Sequence, residues 1–414
     1  MRSLADWLAF IERQHPQSIA LGLDRVLEVH AKLGARLACP VITVGGTNGK
    51  GSTCAMLEAI LRAGGHRTGL YTSPHILRYN ERVRIAGAEA SDDALVAAFE
   101  AVEAVRGAVP LTYFEFGTLS AFKLFSEAKI DVGILEVGLG GRLDAVNLLD
   151  ADCAVLTSIG IDHVEYLGDT REAIGREKAG IFRPGRPAVV SDPEVPESIL
   201  EEIQSKKAKG LLLGRDFGYA NQGTQWSYWG PAGKRAGLAH PALRGAMQLR
   251  NASAAIAALD SLRERMPVAM QDIRRGLAEV ALPARFQVLP GRPQVVLDVA
   301  HNPEAAAVLA RNLGESGYAP ETIAVFGMLR DKDIAGVVRA VAPRITKWNV
   351  ATLPGPRGAD GAFLEEVISK VKPESKVEKF ADVPAALAAA KKAAKENDKI
   401  VVFGSFLTVA GAYG

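Results

Sequence analysis

The chain has 414 residues, and its 49 Lys and Arg stand against 47 Asp and Glu for a net charge of +2, so no charge excess marks it as a binder of nucleic-acid backbone. Hydrophobic residues make up 48%, enough for the cores of two or three domains, which excludes disorder as the main state. With no apolar stretch near the ~20 residues that cross a bilayer, an N-terminal segment interrupted by Asp6 and Glu12, and only three scattered cysteines, Cys39, Cys54 and Cys153, the chain reads as a cytoplasmic protein without a disulfide framework or a Cys-rich zinc site.

Short β-branched runs, Gly-containing turns and helical patterns alternate along the chain, the signature of a parallel sheet. Pro40 to Val44 is the first predicted strand. A Gly cluster follows, then a helical spacing from Ser52 to Ala63 closed by Gly64 and Gly65. Thr68–Tyr71, Asp131–Leu135, Ala154–Thr157 and Arg186–Val190 repeat the strand signal. Between Leu213 and His240 periodicity fades among Gly, Trp226, Tyr228, Trp229 and Pro231, which reads as twisted antiparallel strands or a long loop. A helix is predicted over Asn251–Arg265, and the proline-flanked Pro283–Pro290 as an inter-domain connection. Alternation then restarts with strands at Gln294–Asp298, Thr322–Phe326, Lys347–Val350 and Lys399–Phe403. In the last long helix, Pro384–Glu396, clustered Lys391, Lys392 and Lys395 read as a solvated face rather than a nucleic-acid surface. The fold class is α/β: a larger mainly parallel domain over residues 1–287 and a smaller Rossmann-like domain over 288–414.

The sharpest local signal is Val44-Gly-Gly-Thr-Asn-Gly-Lys-Gly-Ser-Thr53 between a strand and a helix. Glycines there let backbone N–H groups curl around an anion at the positive end of the helix, with Lys50 reaching the distal phosphates. The common phosphate-loop pattern places Gly at 44 and Ser or Thr at 51; this chain has Val44 and Gly51, with hydroxyls at Ser52 and Thr53. The competing reading is a tight turn with a surface lysine.

In an open α/β sheet, ligands gather beyond the carboxyl ends of the strands. Ser73 and His75 follow Thr68–Tyr71, Glu136 follows Val132–Leu135, and Asp162 and His163 follow the strand ending near Ile159, so all are expected at that crevice. A carboxylate and a hydroxyl suit Mg²⁺ on a triphosphate; a helix cap, an ion pair and a structural histidine are the alternatives. Lys178 ends a helix beginning near Thr170, where an ion pair with Glu177 competes with a half-buried, reactive amine.

Six motifs in register, Gly46–Ser52, Thr72–His75 with Asn80–Val83, Thr112–Phe116, Leu135–Asp144, Gly175–Phe182 and Asp298–Pro303, resemble the folylpolyglutamate synthase and dihydrofolate synthase branch of the Mur ligase superfamily. The resemblance runs from about Leu21 to Ser405. It implies a P-loop Mur-ligase-like central domain and a monomeric, ATP-dependent amide ligase that activates a carboxylate as an acyl phosphate and couples it to L-glutamate. The segments Leu21–Arg25 and Thr112–Phe116 resemble the bifunctional bacterial enzymes, whose acceptors are dihydropteroate and reduced folates. Nucleic acid and membrane are not among the implied partners.

By position, the resemblance assigns Thr47, Asn48, Gly49, Lys50, Gly51 and Ser52 to the phosphates, and Asn251, Arg285, Asp298 and His301 to further ATP contacts. Ser73, Glu136 and His163 match the ligands of two Mg²⁺ ions, with a monovalent cation such as K⁺ as an additional cofactor. Lys178 matches a lysine carried in this family as N-carboxy-lysine, so Lys50, His163, Lys178 and Arg285 form the implied catalytic set. The pterin-bearing substrate is expected near Thr112, Tyr113, Phe114, Arg142 and Asp144, where Tyr113 and Phe114 either stack on the heterocycle or fill the core. Val146 departs from a threonine frequent in the family. An active site between the two domains, closing by a hinge near Pro283–Pro290, is the expected arrangement. A synthase limited to polyglutamylation, a Mur ligase acting on a UDP-linked precursor and a non-enzymatic ATP-binding module are the rivals. The second would need a further N-terminal domain, and only about forty residues precede the phosphate loop.

Overall fold

A computed structural model describes residues 2–17 and 19–413. The chain divides into two compact units, Met1–Ala242 with Leu249–Val280, and Leu243–Gln248 with Ala281–Gly414. Arg285 therefore belongs to the second unit, whereas the sequence reading drew the boundary after residue 287.

The first unit is built on eight strands: β1 (Val41–Gly45), β2 (Thr68–Tyr71), β3 (Val83–Ile85), β4 (Ala88–Glu89), β5 (Val132–Glu136), β6 (Cys153–Leu156), β7 (Pro187–Val190) and β8 (Lys209–Leu212), in the order β4-β3-β2-β5-β1-β6-β7-β8. β2, β5, β1, β6, β7 and β8 pair in parallel, and β3 and β4 add an antiparallel edge beside β2. β1 lies between β5 and β6, so all five of its residues are buried and its run is continuously apolar apart from Thr43. The chain reaches β2 and β5 on one side of β1 and β6 to β8 on the other, a switch point that opens a crevice where β1 ends.

The segment of faded periodicity forms a three-stranded antiparallel sheet, β9 (Gly218–Asn221), β10 (Gln225–Gly230) and β11 (Gly233–Ala239). Its alternation is masked because Trp226, Ser227 and Tyr228 are all buried and the register shifts between Trp226 and Tyr228. Arg235 donates to both Asp260 oxygens, at 2.9 and 2.5 Å, and the Tyr228 hydroxyl donates to the same carboxylate at 3.1 Å. These bonds anchor the sheet to the helix Gln248–Ser261.

The second unit carries β12 (Gln287–Leu289), β13 (Gln294–Leu297), β14 (Thr322–Phe326), β15 (Lys347–Ala351), β16 (Lys376–Phe380) and β17 (Lys399–Phe403), ordered β12-β13-β17-β14-β15-β16. β13 to β17 are parallel around a core holding Phe326, Trp348 and Phe403. The segment expected as a plain connection, Pro283–Pro290, instead supplies β12, paired antiparallel with β13. Its flanking prolines fit an edge strand, whose outer N–H groups need no sheet partner. β16 carries exposed Lys376, Glu378 and Lys379, and that polarity hid it from the sequence reading. The helix predicted to Glu396 ends at Ala393, leaving Lys395 outside it.

Candidate active site

The phosphate loop follows β1 and enters the helix Lys50–Ala63 through Gly49, whose φ of +91° serves as the helix cap. Gly46, at φ +137°, lies so close to β6's continuation that a Cβ would overlap the Thr157 hydroxyl. A Cβ at Gly49 would stand 2.7 Å from Asn251 Oδ1. Both glycines are therefore fixed by conformation and by close approach. Thr157 and Ser158, which the sequence reading did not single out, hold the loop: the Thr157 hydroxyl donates to Asn48 O at 2.7 Å, and Asn48 N donates to Ser158 Oγ at 3.0 Å. Thr47 N donates to Ser158 O at 2.7 Å, and its hydroxyl bonds with the Gly160 backbone. The signal for this pair was their place directly after a buried strand. Ser52 and Thr53 are buried within the helix.

One carbonyl oxygen receives two lysine side chains. Lys50 Nζ and Lys178 Nζ each donate to Gly46 O at 3.0 Å, and Lys50 also reaches Thr47 O at 3.1 Å. Lys178 ends the helix Arg171–Lys178, capped by Thr170, but it forms no ion pair with Glu177, whose carboxylate faces Arg142 at 3.4 Å. Burial first, and the neighbouring Lys50 charge second, bring the Lys178 ammonium down to about 7, against the pull of Asp162 and Asp144. At that value a large share of the amine is neutral near pH 7.

At the ends of β5 and β2, the buried Glu136 accepts the Ser73 N–H at 3.1 Å. His163 sits at φ +53° beside Asp162, its Nε2 4.0 Å from the carboxylate. Among the described residues no three His, Cys, Asp or Glu side chains gather as a metal cluster. Glu136 and His163 would thus need Ser73 and a further oxygen donor to complete a cation site. A serine hydroxyl, a carboxylate and a carbamate on Lys178 would form an oxygen-rich set that fits a hard divalent ion.

The residues expected near the acceptor substrate have mixed fates. Thr112 is buried, capping the helix Tyr113–Ala128 by accepting Glu115 N, while Glu115 returns to Thr112 N and pairs with Arg25 at 2.9 Å. Asp144 is buried with its carboxylate accepting Gly138, Leu139 and Val146 N–H groups; burial raises it to about 6 despite those bonds. It therefore shapes the loop after β5. Val146 is fully buried, its N–H being one of those donors. Arg142 commits its guanidinium to Glu177, Glu202 and Arg176 O. Tyr113 and Phe114 are half-buried: Phe114 lies 5.8 Å from the Tyr71 ring and against Gly138, and Tyr113 lies 5.8 Å from Tyr79. The Arg82 guanidinium stands 5.3 Å from both tyrosine rings and donates to His75 Nδ1 at 2.8 Å. Burial and that cation lower His75 to about 4, leaving it a neutral acceptor.

In the second unit, Asp298 follows β13 and accepts Phe286 N at 2.9 Å and Ala300 N at 2.8 Å; burial raises its carboxyl against those bonds and the charges of Arg285 and His301. His301 Nδ1 contacts Val299 O at 2.9 Å. Phe406, absent from the sequence reading, links these groups: Arg285 lies 5.3 Å from its ring and His301 6.1 Å. Only its position just beyond β17 could have marked it. Asp298, Arg285 and His301 are thus one cluster at the carboxyl ends of adjacent parallel strands.

The Mur ligase middle domain family matches residues 44–259, and the Mur ligase, glutamate ligase domain matches 284–406. The dihydrofolate synthase/folylpolyglutamate synthase of Escherichia coli strain K12 is 45% identical, over 98% of this chain and 94% of its own. A solved structure of E. coli FolC in complex with DHPP and ADP matches with a TM-score of 0.95 at 45% identity, covering 100% of this chain and 97% of that one. A bifunctional folylpolyglutamate synthase/dihydrofolate synthase from Yersinia pestis, complexed with AMPPNP and Mn ion, matches with a TM-score of 0.91 at 44% identity, covering 100% and 97%.

Proposed function

This chain belongs to the dihydrofolate synthase/folylpolyglutamate synthase family of the Mur ligases, and from that premise we propose that it is an ATP-dependent ligase joining L-glutamate to dihydropteroate, giving dihydrofolate, and to reduced folates, giving polyglutamates. The observation that carries the reading is the meeting of Lys50 and Lys178 on the Gly46 carbonyl of the phosphate loop.

A carboxylate is a poor electrophile, so the acceptor's carboxylate oxygen first attacks the γ-phosphorus and the bond to ADP breaks. The amine lone pair of glutamate then attacks the acyl carbon, the C–N bond forms, phosphate leaves with the C–O electron pair, and the amine gives up a proton. The protein's part is alignment, charge neutralisation and exclusion of water. Lys50 and the backbone from Thr47 to Ser52 hold the β- and γ-phosphates. Asn251, Arg285, Asp298 and His301 contact the rest of the nucleotide. Tyr113 and Phe114 flank the acceptor's flat ring system, while Thr112, Arg142 and Asp144 shape that subsite through the backbone they hold.

Ser73, Glu136, His163 and a carbamylated Lys178 would hold two Mg²⁺ ions. Such cations, when bound, neutralise the phosphate oxygens and polarise the transferring group. The carbamate forms when the neutral Lys178 Nζ lone pair bonds to the carbon of CO₂, one C=O π pair moves to oxygen, and the nitrogen proton passes to water. K⁺ as a further cation, and a monomeric cytoplasmic protein, complete the reading.

The test is ADP release with dihydropteroate, tetrahydrofolate or a UDP-muramoyl acceptor, each with and without glutamate. Glutamate-dependent release with both pterin acceptors is expected. Release with tetrahydrofolate alone would restrict the function to polyglutamylation; release with the UDP-linked acceptor alone, or none at all, would overturn it.

A further inference from the structure

Around Lys178 the helix end is held from outside. Helices leave their last carbonyls without intrahelical partners, and a terminal cation commonly answers them. Here outside groups share that role with the following turn: Ala179 O also accepts Phe182 N at 3.1 Å, and Gly180 O accepts Arg183 Nη1 at 3.2 Å and Asn147 Nδ2 at 3.4 Å. Lys206 Nζ donates to Ala179 O and Gly180 O, both at 3.1 Å. Arg142 donates from Nη2 to Arg176 O at 3.1 Å and from its backbone N to Glu177 O at 2.9 Å. Glu202, on the helix Glu197–Ser205 and only 12% exposed, bridges the two cations, 3.0 Å from Arg142 Nη2 and 3.5 Å from Lys206 Nζ. The backbones fit without side-chain spacers: a Cβ at Gly141 would lie 2.7 Å from Lys178 O, and one at Gly180 would overlap Arg142.

We infer that Arg142, Glu202 and Lys206 form a clamp of positioning residues that sets Lys178 on the phosphate loop. With the carbonyls on both sides of Lys178 already satisfied, its Nζ is released from the helix end and spans to Gly46 O. Through Lys206, Glu202 couples the loop after β5, which carries Arg142, to the turn that follows Lys178. The inference rests on the reading of Lys178 as the carbamylated residue, and it assigns Arg142 to the support of that residue.

The experiment compares wild type, Lys206→Met, Lys206→Arg and Glu202→Gln in ¹³C-bicarbonate. The carbamate resonance is read by ¹³C NMR beside kcat, the KM for ATP and for dihydropteroate, and thermal stability. The clamp predicts that Lys206→Met and Glu202→Gln each lower the carbamate signal and kcat by about 10-fold, as for supporting groups around a ligand. Both KM values should stay near wild type, and Lys206→Arg should recover most of the signal. Should Lys206→Met fail to fold, Glu202→Gln, isosteric and milder, carries the comparison. A full carbamate signal and kcat in Glu202→Gln and in any folded Lys206→Met would overturn the clamp while leaving the carbamate intact. Absence of the signal from active wild type would overturn the carbamate reading itself, and the clamp with it. A raised KM for dihydropteroate in Glu202→Gln with unchanged carbamate would return Arg142 to the substrate and likewise overturn the inference.

Discussion

Replacing Gly46 with alanine tests the phosphate loop where its geometry is tightest. At φ +137° the backbone lies in a region that L-residues rarely enter, and an added Cβ would overlap the Thr157 hydroxyl while standing 3.0 Å from Thr157 N and 3.1 Å from Ser158 N. Backbone strain contributes roughly 1–3 kcal/mol and displacement of the hydroxyl from Asn48 O about 1 kcal/mol, so Gly46→Ala should destabilise by about 2–4 kcal/mol. Thr157→Ala alone should cost about 1 kcal/mol through that same bond. The double variant should then be less destabilised than the sum by about 1 kcal/mol, because the hydroxyl is removed only once. Urea denaturation of the four proteins measures the cycle. Because Gly46 O receives both lysines, turnover should also fall at least ~100-fold in Gly46→Ala. Strict additivity, or an alanine variant with wild-type stability and rate, would refute this account of the loop.

Lys178 gives a pH signature. In CO₂-free apoprotein its folded pKa of about 7 lies below the usual lysine value, so between about pH 7 and 10.5 the unfolded chain binds more protons and stability rises with pH by up to ~1.4 kcal/mol per unit. Lys178→Met should remove that contribution, raise stability near pH 7 and abolish turnover, which denaturation at several pH values and an ADP assay would check; an unchanged slope contradicts the buried amine. Glu136→Gln keeps an acceptor for Ser73 N but removes the charge, so the half-saturating Mg²⁺ concentration should rise by at least ~10-fold in an activity titration with little change in thermal stability. Phe406→Ala removes the ring between Arg285 and His301; at roughly 1 kcal/mol for the lost cation–π contact, the KM for ATP should rise about 5-fold with the KM for dihydropteroate unchanged.

Local chemistry made much of this molecule legible. β1, the phosphate loop and the following helix are announced by an apolar run, a Gly cluster and 3.6-residue spacing, because a central parallel strand and a helix facing it both need continuous burial. Thr68–Tyr71 and Lys399–Phe403 were read to the residue for the same reason. What escaped depended on distant partners. The motif places Asp144 near the acceptor substrate but does not show that its oxygens accept three backbone N–H groups. The motif places Arg142 near the acceptor substrate but does not show its bond to Glu202, sixty residues away. Phe406 carries no chemistry of its own and gains meaning only when Arg285 and His301 meet its ring. β12 was hidden because prolines that signal a linker also suit an edge strand.

The central claim is that the acceptor's carboxylate is activated by phosphorylation. Dihydropteroate labelled with ¹⁸O in its carboxyl group, turned over with ATP and glutamate, tests it directly through the isotope content of the released phosphate by ³¹P NMR. The account predicts one ¹⁸O from the carboxylate in each inorganic phosphate. Phosphate free of the label, with amide product formed, would contradict it.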